Sequence, residues 1–348
     1  MSQPKVSIVI PCRNEARYIE ACLESILAAD YPAHLIEVLV VDGGSDDGTR
    51  DIVARYAETR PRIRQLENAL RITPAAMNIG IRAASGDVIM RMDAHVVYPG
   101  DYIRRLIAAL ESSGADNVGG VIETLPGHGT PVARAIAVAL AHPFGVGDSY
   151  FRIGTRAPRL VDSVAFGCWR RELFSRVGLF DEELVRNQDD EFNYRIALHG
   201  GRVLLVPDVV ARYYARRSLR KLGRTFYQYG YFKPLVAKKL GRVATLRQLI
   251  PALLVVVVLG SAMFQLGRRI FGLPVFRPLI VAALVLYLIA VVACSLAAVR
   301  RHGWRCALAL AVTFPTLHWS YGVGYLRGVW DHIVLGRRRQ PRAVPLTR

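Results

Sequence analysis

Residues 6–15 read VSIVIPCRNE, a short apolar run that ends in a polar cluster beginning at Pro11. Apart from Ser7, the run at residues 6–10 is β-branched and apolar, which is typical of a strand buried on both faces in a parallel sheet. The same arrangement recurs at residues 37–41, which lead into the turn sequence GGSDDG at residues 43–48. Two buried strands, each followed by a polar loop, indicate an α/β fold with a ligand-binding edge.

Strand and helix patterns alternate beyond these two runs. The further predicted strands are residues 63–66, 88–92, 117–122, 164–167 and 203–206. The predicted helices are residues 15–29, 49–59, 73–84, 102–112, 171–177, 191–198 and 219–229. Alternation of this kind predicts a mostly parallel sheet with crossover helices on its faces.

Hydrophobic residues make up 52% of the chain, and they concentrate after Ile250. Three apolar segments, residues 249–266, 279–299 and 306–326, approach the roughly 20 residues that cross a bilayer. Gly322 and Gly324 in the third segment would allow close helix packing. The predicted parts are a globular domain over residues 1–240, a membrane region of two to three hydrophobic helices over residues 241–330, and a basic tail over residues 331–348.

The formal net charge is +18, and basic residues cluster at residues 212–247 and 337–342. A basic stretch beside an apolar segment attracts anionic lipid head groups, so a membrane is the expected partner. The sequence contains no helix-turn-helix, zinc-finger or RNP pattern, which argues against a nucleic-acid partner. An arginine-rich composition that places charge on solvated faces is the alternative explanation for much of this charge.

The cysteines and the N-terminus indicate the compartment. The five cysteines form no CxxC pair and no metal-ligand spacing, so the sequence predicts neither a disulfide framework nor a zinc site. The apolar run at residues 6–10 is too short for the core of a signal peptide. We therefore expect the globular domain to face the cytoplasm.

Polar residues at three predicted strand ends form the candidate site. Arg13 and Glu15 follow the first strand, Asp42 ends the second, and Asp93 and His95 follow the strand at residues 88–92. Ligands bind outside the carboxyl ends of strands in open parallel sheets, where an aspartate can accept a hydrogen bond from a nucleobase or a ribose. The structural alternative for the loop after the second strand is that Ser45 or Asp46 merely caps the next helix.

The Asp93-Ala94-His95 sequence has the spacing of a cation site. A divalent cation offsets the charge of a departing diphosphate. Mg²⁺ prefers oxygen ligands, whereas an imidazole such as that of His95 suits Mn²⁺ better. The alternative is an aspartate that caps a turn beside an exposed histidine.

A fourth cluster, NQDDEFNYR at residues 187–195, contains three consecutive acids at a predicted helix start. These acids would complement the helix dipole. In the functional alternative, one carboxylate is a general base that takes the proton from an attacking hydroxyl. A one-step displacement needs only this base and a group that stabilises the leaving group.

Five motifs in order resemble the family 2 glycosyltransferases with the GT-A fold. They are VSIVIPCRNE (6–15), VVDGGSDDGT (40–49), TPAAMNIG (73–80), SGDVIMRMDAH (85–95) and QDDEFNYR (188–195). The TPAAMNIG and MDAH forms look especially like the succinoglycan-biosynthesis glucosyltransferase subgroup. The resemblance covers roughly residues 5–239 and implies a Rossmann-like GT-A domain, here followed by C-terminal transmembrane helices.

The resemblance also implies roles for individual residues. Asp42 would contact the nucleobase, usually uracil, and Asp189 would be the base. Asp93 and His95 stand where the family holds Mg²⁺ or Mn²⁺ with the diphosphate. The other donor-side residues would be Pro11, Arg13, Glu15 and Asn78. The acceptor-side residues would be Gly167, Cys168, Trp169, Asp190, Glu191 and Arg195.

The sequence departs from the family pattern at several points. Gln188 replaces the usual glutamate before Asp189, so the base assignment could shift to Asp190. His95 replaces the last acid of the metal motif, and residues 212–214 read Arg-Tyr-Tyr where many relatives carry a metal-binding histidine. The Gln-x-x-Arg-Trp motif of processive synthases is absent from the sequence, which favours the addition of a single sugar.

The expected function is transfer of one hexose, with glucose from a UDP-sugar as the expected donor, onto a polyprenyl-diphosphate-linked saccharide with inversion. Exopolysaccharide or cell-envelope glycan synthesis at the cytoplasmic membrane is the expected setting. The enzymatic alternative is a dolichol-phosphate-type transferase that uses the lipid phosphate itself as acceptor. A nucleotidyltransferase would need a Gly-rich phosphate loop that the sequence lacks, and a non-enzymatic sugar- or lipid-binding scaffold would not need Asp189.

Overall fold

A computed structural model describes residues 3–243, 245–271 and 277–337, without side chains for residues 262–280. Its described residues form two compact units. The first unit contains residues 3–124 and 148–214, and the second contains residues 125–147 and 215–337. The last part of the predicted basic tail, after Arg337, lies outside the described residues.

The first unit is built on a mixed sheet. Its strands are β1 (Val6–Cys12), β2 (Ile36–Asp42), β3 (Ile63–Glu67), β4 (Val88–Arg91), β5 (Val96–Val97), β6 (Asn117–Leu125), β7 (Arg159–Leu160), β8 (Cys168–Arg170) and β9 (Val203–Tyr214). The order is β3-β2-β1-β4-β8-β6-β9-β5, and β7 pairs with β9. The parallel sheet is confirmed for β1 to β4, whereas β8 pairs antiparallel with both β4 and β6.

The helices follow the strands in the order that the sequence predicts. They are α1 (Ile19–Leu27), α2 (Thr49–Thr59), α3 (Thr73–Ala83), α4 (Tyr102–Ser113), α5 (Pro131–Leu140), α6 (Pro143–Val146), α7 (Tyr150–Ile153), α8 (Leu173–Val177), α9 (Gln188–Leu198), α10 (Leu219–Leu240), α11 (Ile250–Phe271), α12 (Arg277–Ala297), α13 (Val299–His302) and α14 (Trp304–Gly328). Short 3₁₀ helices cover Ala33–Leu35 and Leu246–Leu249, and a π-helix covers Val329–Val334. Helices α5, α6 and α10 to α14 belong to the second unit.

Strand β1 is covered on both faces, as its apolar sequence predicts. Val6, Ile8 and Ile10 pack in one hydrophobic cluster, whereas Val9 packs in another with residues of α3 and α9. Successive side chains of a strand point to opposite faces, so the two clusters lie on the two faces of the sheet. The buried polar residue Ser7 of this strand donates a hydrogen bond to Glu37 of β2.

Two predicted strands differ from those observed. The strand predicted at residues 164–167 is wrong, because Phe166 has a left-handed backbone with φ of 60° and extended pairing begins only at Cys168. Strand β9 continues well beyond the predicted end at residue 206. Its last part alternates buried residues, such as Val209 and Ala211, with exposed ones, so it lacks the continuous apolar run of β1.

The second unit is helical, and glycines bring its helices together. A Cβ on Gly230 of α10 would lie 2.1 Å from the carbonyl oxygen of Tyr321 in α14. A Cβ on Gly324 of α14 would lie equally close, at 2.1 Å, to the carbonyl oxygen of Tyr227 in α10. This close approach agrees with the assignment of α10 to the second compact unit, and the domain end expected at residue 240 stays a prediction.

One stretch of the described residues, Val281–His302, is long and apolar enough to cross a membrane. The third predicted segment forms α14, whose buried face includes Leu310, Phe314 and Leu317. The first predicted segment covers residues 249–266, and the side chains of its last residues, 262–266, lie outside the description. The expectation of two to three spanning helices therefore stays a prediction beyond this one stretch.

Glu37, at the start of β2, is a buried carboxylate with several hydrogen-bond donors. Ser7 Oγ donates to it at 2.6 Å, and the backbone N–H and Oγ of Ser85 donate at 3.0 Å each. Burial alone would raise the pKa of Glu37, but these hydrogen bonds and the charge of Lys5 hold that pKa below its ordinary value. The ionised form is therefore favoured by folding.

We predict that Glu37→Gln lowers the free energy of unfolding at pH 7 by about 1–2 kcal/mol. A depressed pKa gives stability that is present above the unfolded pKa, about 4.3, and is lost as the pH falls through the folded pKa. The difference from wild type should therefore shrink below about pH 4. Urea unfolding of the full chain in detergent at several pH values measures this difference, with Glu58→Gln at an exposed position as the control. A difference that stays constant down to pH 3 would contradict the prediction.

Candidate functional site

The loops after β1 and β2 are joined by hydrogen bonds into one surface. The backbone N–H of Asn14 donates to Ser45 Oγ at 2.8 Å, and that of Glu15 donates to Thr49 Oγ1 at 2.8 Å. In return, the backbone N–H of Asp46 donates to Asn14 Oδ1 at 3.0 Å. The two polar loops that the sequence places at strand ends therefore form a single edge.

Asp42 ends β2 opposite Cys12 of β1 and is only 3% exposed. Its Oδ1 accepts hydrogen bonds of 2.9 Å from the backbone N–H groups of Gly44 and Ser45, and its Oδ2 accepts one from the Ser45 hydroxyl. Ser45 thus binds Asp42 and the Asn14 backbone rather than α2, whose N-cap is Gly48. The loop does cap this helix through Asp47, whose Oδ1 accepts a 3.1 Å hydrogen bond from the backbone N–H of Thr49, so capping is one of its roles.

Asp93 follows β4 and is held by Arg91. Arg91 Nε donates to Asp93 Oδ1 at 2.8 Å and Nη2 donates to Oδ2 at 3.2 Å, while the two side chains are only 11% and 15% exposed. Burial alone would raise the pKa of Asp93, but the charges of Arg91, His95 and Arg186 keep that pKa below its ordinary value. Asp93 is therefore a carboxylate at neutral pH.

Arg91 also connects this motif to the fourth acidic cluster. Burial alone would lower the pKa of Arg91, but the charges of Asp93 and Asp189 raise it. Asp189 is half-buried in the first turn of α9, and its Oδ1 accepts a 3.0 Å hydrogen bond from the backbone N–H of Asp190. The charges of two acids from distant stretches of the chain therefore both act on Arg91.

His95 connects the cation motif to the first loop. Its Nδ1 lies 3.3 Å from Glu15 Oε1, and its ring meets that of Tyr213 edge to face, with 5.4 Å between the ring centroids. Tyr213 lies in the stretch where the resemblance leads one to expect a histidine. The aromatic ring therefore supports His95 from the side of β9.

Four non-glycine residues of the first unit have left-handed backbones: Asn14, Arg71, Phe166 and Asn187, with φ between 55° and 61°. Each lies in a loop, and Asn14 and Asn187 directly flank the residues just described. Such conformations cost about 1 kcal/mol or more each and persist where the surrounding structure enforces them. Their positions beside Glu15 and Asp189 indicate backbone that is held for a site.

The side chains near Asp93 suit a cation whose coordination is completed largely by phosphate oxygens of a bound substrate. Among the described residues, no group of three His, Cys, Asp or Glu side chains is close enough to hold a metal by itself. A carboxylate has about four lone-pair positions, and the Arg91 fork takes two of those on Asp93. Asp93 and His95 fit Mg²⁺ or Mn²⁺ if phosphate oxygens complete the coordination, as is usual for Mg²⁺.

The side chain of Asn78, a predicted donor residue, is engaged within the fold, and its role toward a donor stays a prediction. Its amide is buried, and its Nδ2 donates to the Phe180 carbonyl at 2.9 Å and to Glu182 Oε1 at 2.8 Å. Its Oδ1 accepts from the backbone N–H of Phe180 at 2.9 Å. Asn78 therefore fixes the segment at residues 180–182 and has little capacity left for a donor. Pro11 and Arg13 do lie on the β1 loop, where the Arg13 side chain contacts the position of Gly43.

The predicted acceptor residues Cys168 and Trp169 both lie in the core, and their role toward the acceptor stays a prediction. They are 0% and 3% exposed, and the Trp169 ring packs against Phe174, Phe180 and Phe192. A Cβ on Gly167 would lie 2.0 Å from the Trp169 ring, so glycine is needed for packing there. These side chains therefore contribute to the packing of the core.

Glu191 and Arg195 form a structural pair within α9. Arg195 Nε and Nη2 donate to the two carboxylate oxygens of Glu191 at 2.8 and 2.7 Å, and Arg195 Nη1 donates to the Val177 carbonyl at 2.8 Å. The pair is mostly buried, and its predicted acceptor role stays a prediction. Asp190, the remaining predicted acceptor residue, is half-buried beside Asp189.

Sequence reasoning missed Arg91, Arg186 and Tyr213. The sequence does indicate a special role for Arg91, because this charged residue follows the apolar residues VIM at the end of β4. A charge in a buried strand usually has a partner, and the nearest acid is Asp93. The contacts of Arg186 and Tyr213 depend on how distant segments pack, and no local pattern predicts them.

The comparisons with known proteins identify the family. The sequence model described as "Glycosyl transferase family 2" matches residues 7–178. The succinoglycan biosynthesis protein ExoA of Rhizobium meliloti is 34% identical, over 73% of this chain and 76% of its own length. The chain belongs to glycosyl transferase family 2. It is a glycosyltransferase, as its motifs predict.

Two further comparisons describe the relatives and the fold of this family 2 enzyme. A dolichyl N-acetyl-alpha-D-glucosaminyl phosphate 3-beta-D-2,3-diacetamido-2,3-dideoxy-beta-D-glucuronosyltransferase of Methanococcus voltae is 28% identical, over 67% of this chain and 74% of its own length. The structure of the mannosyltransferase PcManGT of Pyrobaculum calidifontis, in complex with GDP-Man and Mn²⁺, aligns with a TM-score of 0.60 and 22% identity. The alignment covers 95% of this chain and 88% of PcManGT, which confirms the GT-A fold.

We predict that Arg91→Met lowers the free energy of unfolding by about 3 kcal/mol, because it leaves the buried Asp93 carboxylate without its counter-charge. The matched control is Arg50→Met. The Arg50–Glu67 pair is equally short at 2.9 Å but exposed, with 48% and 81% of the side chains accessible. An exposed pair is worth about 1 kcal/mol or less. Urea unfolding of the full chain in detergent measures both variants. Equal losses would contradict the buried role of Arg91.

Proposed function

We propose that this enzyme transfers a single hexose, with inversion, from a nucleotide-diphosphate sugar to a polyprenyl-diphosphate-linked saccharide. The observation that carries the proposal is the placement of Asp93 and Asp189 around Arg91. One acid lies at the sheet edge, where family 2 enzymes bind the donor, the other lies in the first turn of α9, and the charges of both act on Arg91. A displacement needs chemistry on both sides of the reacting carbon.

In this proposal Asp189 is the general base. It accepts the proton of the acceptor hydroxyl as that oxygen bonds to the anomeric carbon, and the bond from this carbon to the diphosphate breaks with its electron pair moving to the diphosphate. Asp189 is half-buried and is oriented by the Asp190 backbone N–H. Asp190 is the alternative base, because Gln188 stands where relatives carry glutamate.

The donor would lie along the edge formed by the first two loops. Asp42 and Glu15, together with Pro11 and Arg13, would surround the nucleoside, with UDP-glucose as the expected donor. Asp93 and His95 would hold a divalent cation, which when bound offsets the charge that develops on the leaving diphosphate. The neighbour PcManGT was solved with GDP-Man and Mn²⁺, so both uracil and guanine nucleotides belong in the test.

The acceptor assignment rests on the relatives and on the apolar helices. ExoA is named for succinoglycan biosynthesis, and the Methanococcus voltae enzyme is named for transfer to a dolichyl-linked sugar phosphate. A lipid-linked saccharide at the cytoplasmic face of the membrane agrees with both names and with the apolar stretch Val281–His302. Exopolysaccharide or cell-envelope glycan synthesis is the setting that we propose.

The test of the reaction is a donor and acceptor panel with the purified full chain in detergent. We expect nucleotide release from one nucleotide sugar only when a polyprenyl-diphosphate-linked saccharide is present. Release that depends instead on polyprenyl phosphate alone would establish the dolichol-phosphate-type alternative. No acceptor-dependent release from any donor would contradict the proposal.

We predict that Asp189→Asn lowers kcat by about 100- to 10,000-fold, because the acceptor hydroxyl loses its base. The affinity for the donor should change little, since the amide keeps the shape of the side chain. Asp51→Asn, at an exposed position of α2, is the matched control for the loss of one acid. A larger loss in Asp190→Asn than in Asp189→Asn would move the base to Asp190.

A further inference from the structure

Arg152 of the short helix α7 reaches the side of the site formed by β9. Its guanidinium carbon lies 5.6 Å from the centroid of the Tyr213 ring and 5.4 Å from that of Phe151. The Tyr213 ring in turn lies edge to face against His95, at 5.4 Å between centroids. One aromatic ring thus separates the guanidinium of Arg152 from the imidazole of His95.

The guanidinium of Arg152 has unused hydrogen-bonding capacity. Its Nη1 is buried, and it has no hydrogen-bond partner among the residues that the structure describes. The other buried arginines of this unit are engaged: Arg91 by Asp93, and Arg195 by Glu191 and a backbone carbonyl. A buried donor without a partner is costly, so it calls for an explanation in terms of what binds there.

The charges around His95 favour an anion as that partner. Glu15, Asp93 and Asp189 bring negative charge to a place where a diphosphate must bind. Arg91 is already occupied by two of these acids, and Arg186 acts on Asp93. A further cation is needed if a doubly charged or triply charged ligand is to bind beside them. Arg152 is placed to supply it, and a guanidinium fork matches two phosphate oxygens.

We propose that Arg152 is a diphosphate-binding residue of the donor site, held in position by the Tyr213 ring. The inference rests on the proposed function, because it takes the ligand to be a nucleotide-diphosphate sugar. Tyr213 then has two roles, because its ring contacts both the His95 ring and the Arg152 guanidinium. The competing explanation is that Arg152 only anchors α7 by stacking on Phe151 and Tyr213, without touching a ligand.

The experiment measures the binding of nucleosides and nucleoside diphosphates to the full chain in detergent by isothermal titration calorimetry. The probes are uridine, UDP, guanosine and GDP, each with Mg²⁺ present. The variants are Arg152→Ala, Arg152→Lys and the matched control Arg156→Ala, whose arginine is exposed four residues further along the same segment. Thermal unfolding of each variant shows whether it is folded.

For Arg152→Ala we expect the affinity for the nucleoside diphosphate to fall by about 10- to 100-fold, the loss expected for charge-assisted hydrogen bonds. Binding of the corresponding nucleoside should be unchanged. Arg152→Lys should recover part of the loss, because it keeps the charge but not the fork. Arg156→Ala should bind both probes as wild type does.

Three results would overturn the inference. Unchanged diphosphate affinity in folded Arg152→Ala would show that the guanidinium does not touch the ligand. An equal loss for nucleoside and nucleoside diphosphate, or an unfolded Arg152→Ala and Arg152→Lys, would show an anchoring role only. Failure of wild type to bind either diphosphate would overturn the proposed donor site together with this inference, which distinguishes the two failures.

Discussion

The buried ion pair between Arg91 and Asp93, with Asp189 as a second acid facing the same arginine, is the interaction on which the site depends. Strand β4 carries the pair to the sheet edge because it runs parallel to β1. Helix α9 brings Asp189 to the same place from much later in the sequence. A buried cation with only one acid nearby would not need this convergence, so the electrostatics tie the two motifs together.

The loops around this pair are fixed by hydrogen bonds rather than by apolar packing. Asp42 holds its own turn, and Ser45 and Thr49 hold the backbone of the neighbouring loop. Positions that need unusual backbone, such as Asn14 and Asn187, lie beside the acids. Preorganisation of this kind suits an enzyme that must hold a charged donor without rearranging, because fixed dipoles need no reorganisation during the reaction.

Much of the fold was predictable because its central strands are buried on both faces. A run such as Val6–Cys12 has no other explanation in a soluble domain, and the polar residues that follow such runs identify the site edge. The half-exposed end of β9 was not predictable, since its alternation is interrupted by Pro207 and Asp208. The left-handed Phe166 likewise hides where β8 begins, because nothing in its neighbours requires that backbone.

The functional residues divide along the same line. Asp42, Asp93 and Asp189 follow local sequence patterns that a single sequence shows. The burial of Asn78 depends on a contact 102 positions away, and that of Trp169 on aromatic residues up to 23 positions away. Motifs shared by a family mark both kinds of residue alike, and only the packing tells a ligand-facing side chain from a supporting one. Helix α10 shows the same limit, because its glycines matter only once α14 is beside them.

A double-mutant cycle between Asp93 and Asp189 tests the central claim most directly. The free energy of unfolding is measured for Asp93→Asn, Asp189→Asn and the double variant. If both acids compensate Arg91, removing the second acid strands the cation, and the double variant loses about 1 kcal/mol or more beyond the sum of the single losses. Losses that add within about 0.5 kcal/mol would contradict a shared cation and place the two acids in separate environments.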